Sequence, residues 1–73
     1  MPNGRWYYYL VDGLTDGTAA IIRKGLAIIP DIRETQVSVA QSMIEVRASR
    51  DVEAQVRVAC DVAGIKFRTR ARI

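Results

Sequence analysis

The residue types that usually carry enzyme or metal chemistry are scarce in this sequence of 73 residues. There is one cysteine, Cys60, and there is no histidine. An internal disulfide framework is therefore excluded, and the commonest zinc ligand and general base are both absent. No nucleophile is paired with a base, so the sequence predicts a protein that is not an enzyme and has no cofactor or metal ligands of its own.

Cys60 itself allows two interpretations. It lies near the apolar face that Val56 and Ala59 define at helical spacing, which favours a small hydrophobic side chain at the edge of the core. The alternative is a lone thiol, or a ligand to a metal shared between two chains. That alternative requires further ligands, and a chain with one cysteine and no histidine does not provide them.

A second candidate site is the turn at residues 15–18, which leads into a helical pattern. Thr15, Asp16 and Thr18 are residue types that can cap the first turn of a helix. The free N–H groups of such a helix start could alternatively contact an anion or a partner. One glycine, Gly17, does not make a phosphate-binding loop.

Aromatic and basic side chains form the third candidate site. Four of the five aromatic residues fall at positions 6–9, and basic residues alternate with others near the end of the chain. If the two strands that hold them are neighbours, we predict one contact surface made of Trp6, Tyr8, Arg68 and Arg70. Such a surface suits a protein partner or a second copy, or nucleic acid through stacked bases and neutralised phosphates. It also suits a solvated face on which basic side chains cover the rings.

The composition is that of one small globular domain. Apolar residues make up 49% of the chain, which is too many for a disordered one. A net charge of +3 and a pI near 9.5 are compatible with an anionic partner but also ordinary. No apolar run approaches the roughly 20 residues that span a membrane, so no membrane association is expected. No signal peptide is visible, and we expect a cytoplasmic protein if Met1 is the native start.

Changes of periodicity predict the elements that position these residues. Residues 6–11, 32–40, 43–48 and 65–73 are predicted strands, and the middle two form a hairpin. Two helices with apolar faces lie between them. The face of the first, which Pro30 stops, consists of Ala19, Ile22, Leu26 and Ile29. The face of the second, which Ser49 or Asp51 can cap and Gly64 ends, consists of Val52, Val56, Ala59 and Ala63.

The order of elements predicts an α+β fold of the ferredoxin-like class. This is a βαββαβ two-layer sandwich, with an antiparallel four-stranded sheet and two helices on one face. The last strand then lies beside the first. Residues 1–5 are predicted to be a flexible start, and residues 6–73 a single domain. If Tyr7, Tyr9 and Val11 on the first strand face the core, then Trp6, Tyr8 and Leu10 face outward.

Segments along most of the chain resemble a known family. V-D-G-L-T at residues 11–15 is similar to V-x-G-M-T, L-A-I-I-P-D-I at 26–32 to L-x-x-(L/V)-(P/E)-G-V, and A-G-I at 63–65 to A-G-(Y/F). These are motifs of the heavy-metal-associated domains, which include copper chaperones, mercury-binding proteins and N-terminal modules of metal-pumping ATPases. Residues 37–39 and 44–46 look like the two hairpin strands of that family. The resemblance implies the ferredoxin-like fold.

The C-x-x-C motif of that family has no counterpart here. Counted from the upstream strand, its cysteines fall on Asp16 and Ala19; counted back from Pro30, they fall on Thr15 and Thr18. Family metals such as copper(I), mercury and zinc are held by soft sulfur ligands, and hydroxyl or carboxylate oxygens are poor substitutes. We therefore interpret Thr15, Asp16 and Thr18 as a degenerate metal loop.

Three hypotheses about function follow from the sequence. The first is a non-catalytic interaction module on a heavy-metal-associated-like scaffold, with a protein partner or self-association. The second is residual heavy-metal binding, or an accessory role in metal transport. The third is nucleic-acid binding through the basic aromatic sheet face.

Overall fold

The structure is a computed structural model that describes residues 4–71. Its elements follow the predicted order: β1 (Arg5–Asp12), α1 (Asp16–Ala27), β2 (Ile32–Ser38), β3 (Met43–Ala48), α2 (Glu53–Ala63) and β4 (Lys66–Ala71). Of the predicted flexible start, residues 1–3 lie outside the described part. Arg5 already belongs to β1, where it is opposite Ala48.

The sheet has the strand order β2-β3-β1-β4, and every neighbouring pair is antiparallel. The two helices pack against each other and cover one face of this sheet. This confirms the predicted ferredoxin-like fold, including the position of the last strand beside the first. Because all four strands alternate in direction, α1 and α2 run antiparallel to each other.

The core lies between the sheet and the helices. Tyr9, Val11, Ile44 and Val46 contribute from the two central strands, and all four are fully buried. The helices, together with Val52 just before α2, contribute the apolar faces that the periodicity predicts, with these fully or almost fully buried members: Ala19, Ile22, Leu26, Val52, Val56 and Ala59. In β1, Tyr9 and Val11 are buried and Tyr7 packs against the core, which confirms that these three residues face it.

Both helix ends agree with the turn residues of the sequence. Helix α1 ends at Ala27, before Pro30, which has no backbone N–H to continue it. Gly64 follows α2 in the left-handed conformation with φ 76°, and the N–H of Ile65 donates to the carbonyl of Cys60 at 3.0 Å. Glycine adopts this conformation without a Cβ penalty.

Within the described residues 4–71, neither helix has the length and apolar character needed to cross a membrane. The expected cytoplasmic location stays a prediction from the sequence.

Candidate functional site

The start of α1, where the family places its metal, is closed by hydrogen bonds between two threonines. The N–H of Thr18 donates to Oγ1 of Thr15 at 3.2 Å, and the N–H of Thr15 donates to Oγ1 of Thr18 at 2.8 Å. This reciprocal arrangement is a capping box, and it uses local contacts only. The interpretation of the turn as a helix cap is therefore confirmed.

These side chains do not fit a soft metal ion. The Oγ1 atoms of Thr15 and Thr18 lie 3.2 Å apart, and each already accepts a backbone hydrogen bond. The third oxygen donor of this turn is the carboxylate of Asp16, which is exposed. Across residues 4–71, no group of three or more His, Cys, Asp or Glu residues is arranged to hold a metal. The turn offers few donor atoms, and all of them are hard oxygens, whereas copper(I) and mercury prefer thiolates.

Cys60 lies in the core rather than at a surface. Its side chain is fully buried, and it carries a free thiol. Burial raises the pKa of this thiol, and the negative charge of Asp61 raises it further. The neutral thiol therefore predominates near neutral pH, although metals bind the thiolate. The structure agrees with a small hydrophobic side chain and gives no access for a ligand shared between two chains.

The open face of the sheet holds the predicted aromatic contact residues. Trp6 is opposite Arg47, and Tyr8 is opposite Glu45 on β3. Both alternate with the buried Tyr9, so they face away from the helices. Trp6 is 37% exposed. Their predicted position is confirmed, and their role as contacts stays a prediction.

A bulge separates the two arginines that were predicted to join them. Leu10 is opposite Thr69, but the next residue, Val11, is opposite Phe67, so Arg68 is the extra residue of β4. Beyond the bulge, Arg70 is opposite the buried Tyr9 and lies on the helix side of the sheet. The prediction that Arg70 shares the outer face was wrong, because it assumed unbroken alternation along the last strand.

The charges of this open sheet face are mixed. Arg68 lies 3.6 Å from Asp12, and Arg47 lies 3.3 Å from Glu34. Glu45 is opposite Tyr8 in the middle of the face. With carboxylates beside its arginines, this surface lacks the continuous basic track that neutralises a phosphate backbone. The arrangement of charges on this face therefore does not support the hypothesis of nucleic-acid binding.

Arg70 belongs instead to a polar network at the start of α2. Its Nη1 donates to Oδ2 of Asp51 at 2.7 Å. Oδ1 of Asp51 accepts from the hydroxyl of Tyr9 at 2.9 Å and from the N–H of Glu53 at 3.1 Å. The N–H of Val52 donates to the Tyr9 hydroxyl at 3.3 Å. Asp51 was predicted as a possible cap, but its partners on β1 and β4 could not be identified from the sequence.

The environment of this network disfavours ionisation of Tyr9. Burial raises the pKa of the Tyr9 hydroxyl strongly, and the hydrogen bond to Asp51 adds to the effect. The hydroxyl therefore stays neutral and keeps donating to the carboxylate. The network holds the end of the molecule where β1, β4 and α2 meet, which is a structural role.

The outer side of the two helices carries an apolar groove of about 510 Å³. Four large hydrophobic side chains on it are exposed: Ile21 (43%), Ile28 (82%), Val58 (62%) and Val62 (73%). No site was predicted from the sequence at Val58 and Val62. Their spacing of four residues on the side of α2 away from Val56 was the available signal.

The fold and the order of its elements are those of heavy-metal-associated domains, and solved structures of such domains are similar to this chain. The structure is similar to the N-terminal domain of ZntA in its apo form, with a TM-score of 0.80 and 27% identity over 90% of this chain and 92% of that one. The Zn(II) form of the same domain gives a TM-score of 0.77 with the same identity and coverage.

A third similar structure is the yeast copper transporter domain Ccc2a, with a TM-score of 0.78 and 17% identity over 93% of this chain and 96% of that one. It supports the fold alone. No protein-family model matches the sequence, and no curated protein matches it either.

Proposed function

We propose that this protein is a non-catalytic interaction module that uses a heavy-metal-associated scaffold without carrying metal in its loop. The observation that supports this most directly is the capping box of Thr15 and Thr18. In one of the two alignments with the family motif these threonines occupy the cysteine positions, and their hydroxyls are engaged with the backbone. Cys60 offers no substitute, because its protonated thiol is enclosed in the core.

The proposed partner surface is the open face of the sheet, around Trp6 and Tyr8. An exposed indole and a tyrosine, with Arg47 opposite the indole and Arg68 farther along the sheet beside Asp12, have the aromatic and arginine content that is enriched in protein interfaces. The carboxylates on the same face favour a protein partner of mixed charge over nucleic acid. Arg70 is not part of this proposed surface.

Metal titration tests the proposed loss of the metal site. Copper(I) or zinc is added to the wild-type protein while the amide signals of residues 12–20 and Cys60 are followed. We expect no saturable change at micromolar metal, because the loop offers oxygen donors only. Saturable one-to-one binding would overturn the proposal and favour residual metal handling.

A gain-of-function variant makes the titration sharper. In Thr15→Cys/Thr18→Cys, two thiols replace two hydroxyls whose oxygens are 3.2 Å apart. We expect this variant to bind copper(I), with the changes confined to the start of α1. The matched control, Thr15→Ser/Thr18→Ser, keeps both capping hydroxyls and should not bind.

The contact surface is tested by a second pair of variants. Proteins that copurify with the wild-type chain are compared with those that copurify with Trp6→Ala/Tyr8→Ala and with Val58→Glu. Loss of the same protein from the aromatic variant alone supports the sheet face. Retention by the aromatic variant, with its fold intact by circular dichroism, would contradict the proposed surface.

An accessory role in metal transport is the second candidate function. It is favoured by the likeness to the ZntA domain at 27% identity over most of both chains. In this role the module would dock on a metal-transport protein, and the metal would be held by that partner's ligands. The copurification experiment separates the two candidates, because only the second expects a metal-transport protein among the retained partners.

A further inference from the structure

The outer face of α1 and α2 has no covering element within the part of the chain that the structure describes. Ile28, Val58 and Val62 are each more than half exposed there, and Ile21 is 43% exposed. Together they line the 510 Å³ groove between the helices. Scattered exposed hydrophobic residues are ordinary, but four around one groove form a contiguous apolar patch of the kind found at interaction sites.

Two unlike charges border this patch, one on each helix. Helical spacing places Lys24 on the outward side of α1, beside Ile21 and Ile28, and Asp61 on the outward side of α2, beside Val58 and Val62. Both are exposed. Among residues 4–71, neither takes part in an ion pair within 4.0 Å. The helix face is thus apolar in the middle, basic on one border and acidic on the other.

The packing of the helices puts these two charges at the same level along the groove. Gly25 faces Ala59, since a Cβ added at Gly25 would lie 4.0 Å from the Ala59 Cβ. Lys24 precedes Gly25 by one residue, and Asp61 follows Ala59 by two. Because the helices run antiparallel, each charge lies within one helical turn of this contact.

A face with this pattern is complementary to itself. A two-fold axis parallel to the groove packs α1 of one copy against α2 of the other. The rotation leaves the position of each residue along the groove unchanged. Lys24 then meets the partner's Asp61, and Asp61 meets the partner's Lys24. The apolar residues of both copies meet in the middle. An interface of this kind is isologous, with the same patch used by both subunits.

We propose that the α1–α2 face binds a second copy of this chain to form a two-fold symmetric dimer. Charge complementarity selects this occupant, because each copy supplies both the positive and the negative border that the other requires. The helices have 12 and 11 residues and are therefore only about 18 Å long. This face is smaller than the roughly 800 Å² per partner of a standard interface. The expected dimer is therefore weak, with a dissociation constant in the micromolar range or weaker.

Sedimentation equilibrium of the wild-type chain, from micromolar to millimolar concentration, tests the dimer. We expect the apparent mass to rise from 8.2 kDa toward twice that value. Val58→Glu should abolish the rise, because it places a carboxylate in the apolar middle. A wild-type chain that stays monomeric at millimolar concentration would overturn the proposal and leave the groove to a different partner.

A charge exchange tests the proposed arrangement of the two copies. Lys24→Glu and Asp61→Lys should each weaken the dimer by about tenfold, since each brings like charges together. The double variant restores opposite charges and should recover most of the affinity. A double variant as weak as the single ones would contradict the two-fold arrangement.

The aromatic variant separates this proposal from the function proposed above. Trp6→Ala/Tyr8→Ala changes the opposite side of the sheet and should dimerise like the wild type. Loss of the dimer in that variant would show that the sheet face holds the two copies together, which contradicts the helix-face dimer. The metal titrations test the start of α1 only, so their result does not decide whether the helix faces dimerise.

Discussion

The starts of the two helices are built in opposite ways. At the start of α1, Thr15 and Thr18 bond to each other and to their own backbone across a separation of three residues, and the hydrogen bonds are exposed. At the start of α2, Asp51 bonds to Tyr9 and Arg70, which lie 42 and 19 residues away. One helix start is a local device, and the other ties three elements together.

This difference explains which end can tolerate a change of chemistry. The family resemblance places a metal at the start of α1, and the chain holds a capping box there. A helix cap involves few residues, so the residue types at this turn can change without disturbing the rest of the fold. The residue types at the start of α2 cannot change as freely, because Tyr9 is in the core and its hydroxyl needs a hydrogen-bond partner.

The largest effect is expected from Asp51→Ala. The substitution removes the acceptor of the Tyr9 hydroxyl, the Glu53 N–H and the Arg70 guanidinium. Because a part-buried hydroxyl then lacks its acceptor, the free energy of unfolding should fall by about 2 kcal/mol. Urea denaturation measures the change.

Asp12→Ala is the matched control for that prediction. Asp12 also pairs with an arginine, Arg68, but at 3.6 Å and with both side chains 59% exposed. Its loss should cost about 0.5 kcal/mol or less. Equal effects of the two substitutions would contradict the contrast between a network that ties elements together and a surface ion pair.

A pH-dependent effect should arise from Tyr9 in the same network. Its pKa in the folded protein is raised above the ordinary value of 10.0, so the folded state holds the proton more tightly than the unfolded state. The stabilisation is complete below pH 10.0 and is lost as the pH rises above that value toward the folded pKa. Thermal unfolding between pH 9 and pH 11 should therefore show a steeper loss for the wild type than for Tyr9→Phe. Parallel curves would contradict this account.

A smaller loss is expected at the other helix start. Thr15→Ala removes the acceptor of the Thr18 N–H at an exposed position. The expected cost is about 1 kcal/mol, which is typical of an N-cap. Thr15→Ser keeps the hydroxyl and should be nearly neutral. A cost for Thr15→Ala above that of Asp51→Ala would reverse the comparison.

The smallest effect is expected between the two helices, at Gly25. A Cβ added there meets only the Ala59 Cβ at 4.0 Å, which is ordinary van der Waals contact. Gly25→Ala should therefore stabilise the protein by about 0.5 kcal/mol, because alanine loses less backbone entropy in a helix. A destabilised variant would show that the helices need a closer approach than this contact indicates.

The periodicity of apolar residues was sufficient to predict the helices and strands and most of the core residues. The spacing of Ile22 and Leu26 in α1, and of Val56 in α2 and Val52 just before it, identified four buried residues correctly. The alternation in β1 also placed Tyr9 inward. It failed in β4, where one extra residue at the bulge reverses the side on which Arg70 lies. A bulge depends on the pairing of two strands, and neither strand alone reveals it.

The candidate sites divide in the same way. The capping role of Thr15 and Thr18 was open to prediction, because both partners lie within one turn of helix. The exposure of Val58 and Val62 was not, since apolar residues at helical spacing are equally consistent with a core. Only the packing of α1 beside α2 leaves them on the outside.

The sequence by itself determined the order of the elements, the residues that end the helices and the lack of a thiolate pair, because each depends on residue types and local spacing. The tertiary structure alone decided that Arg70 joins Asp51 and Tyr9 on the helix side, and that an apolar groove with a basic and an acidic border faces outward. Both results depend on contacts between segments far apart in the chain. Such contacts are set by strand register and helix packing, which local patterns do not contain.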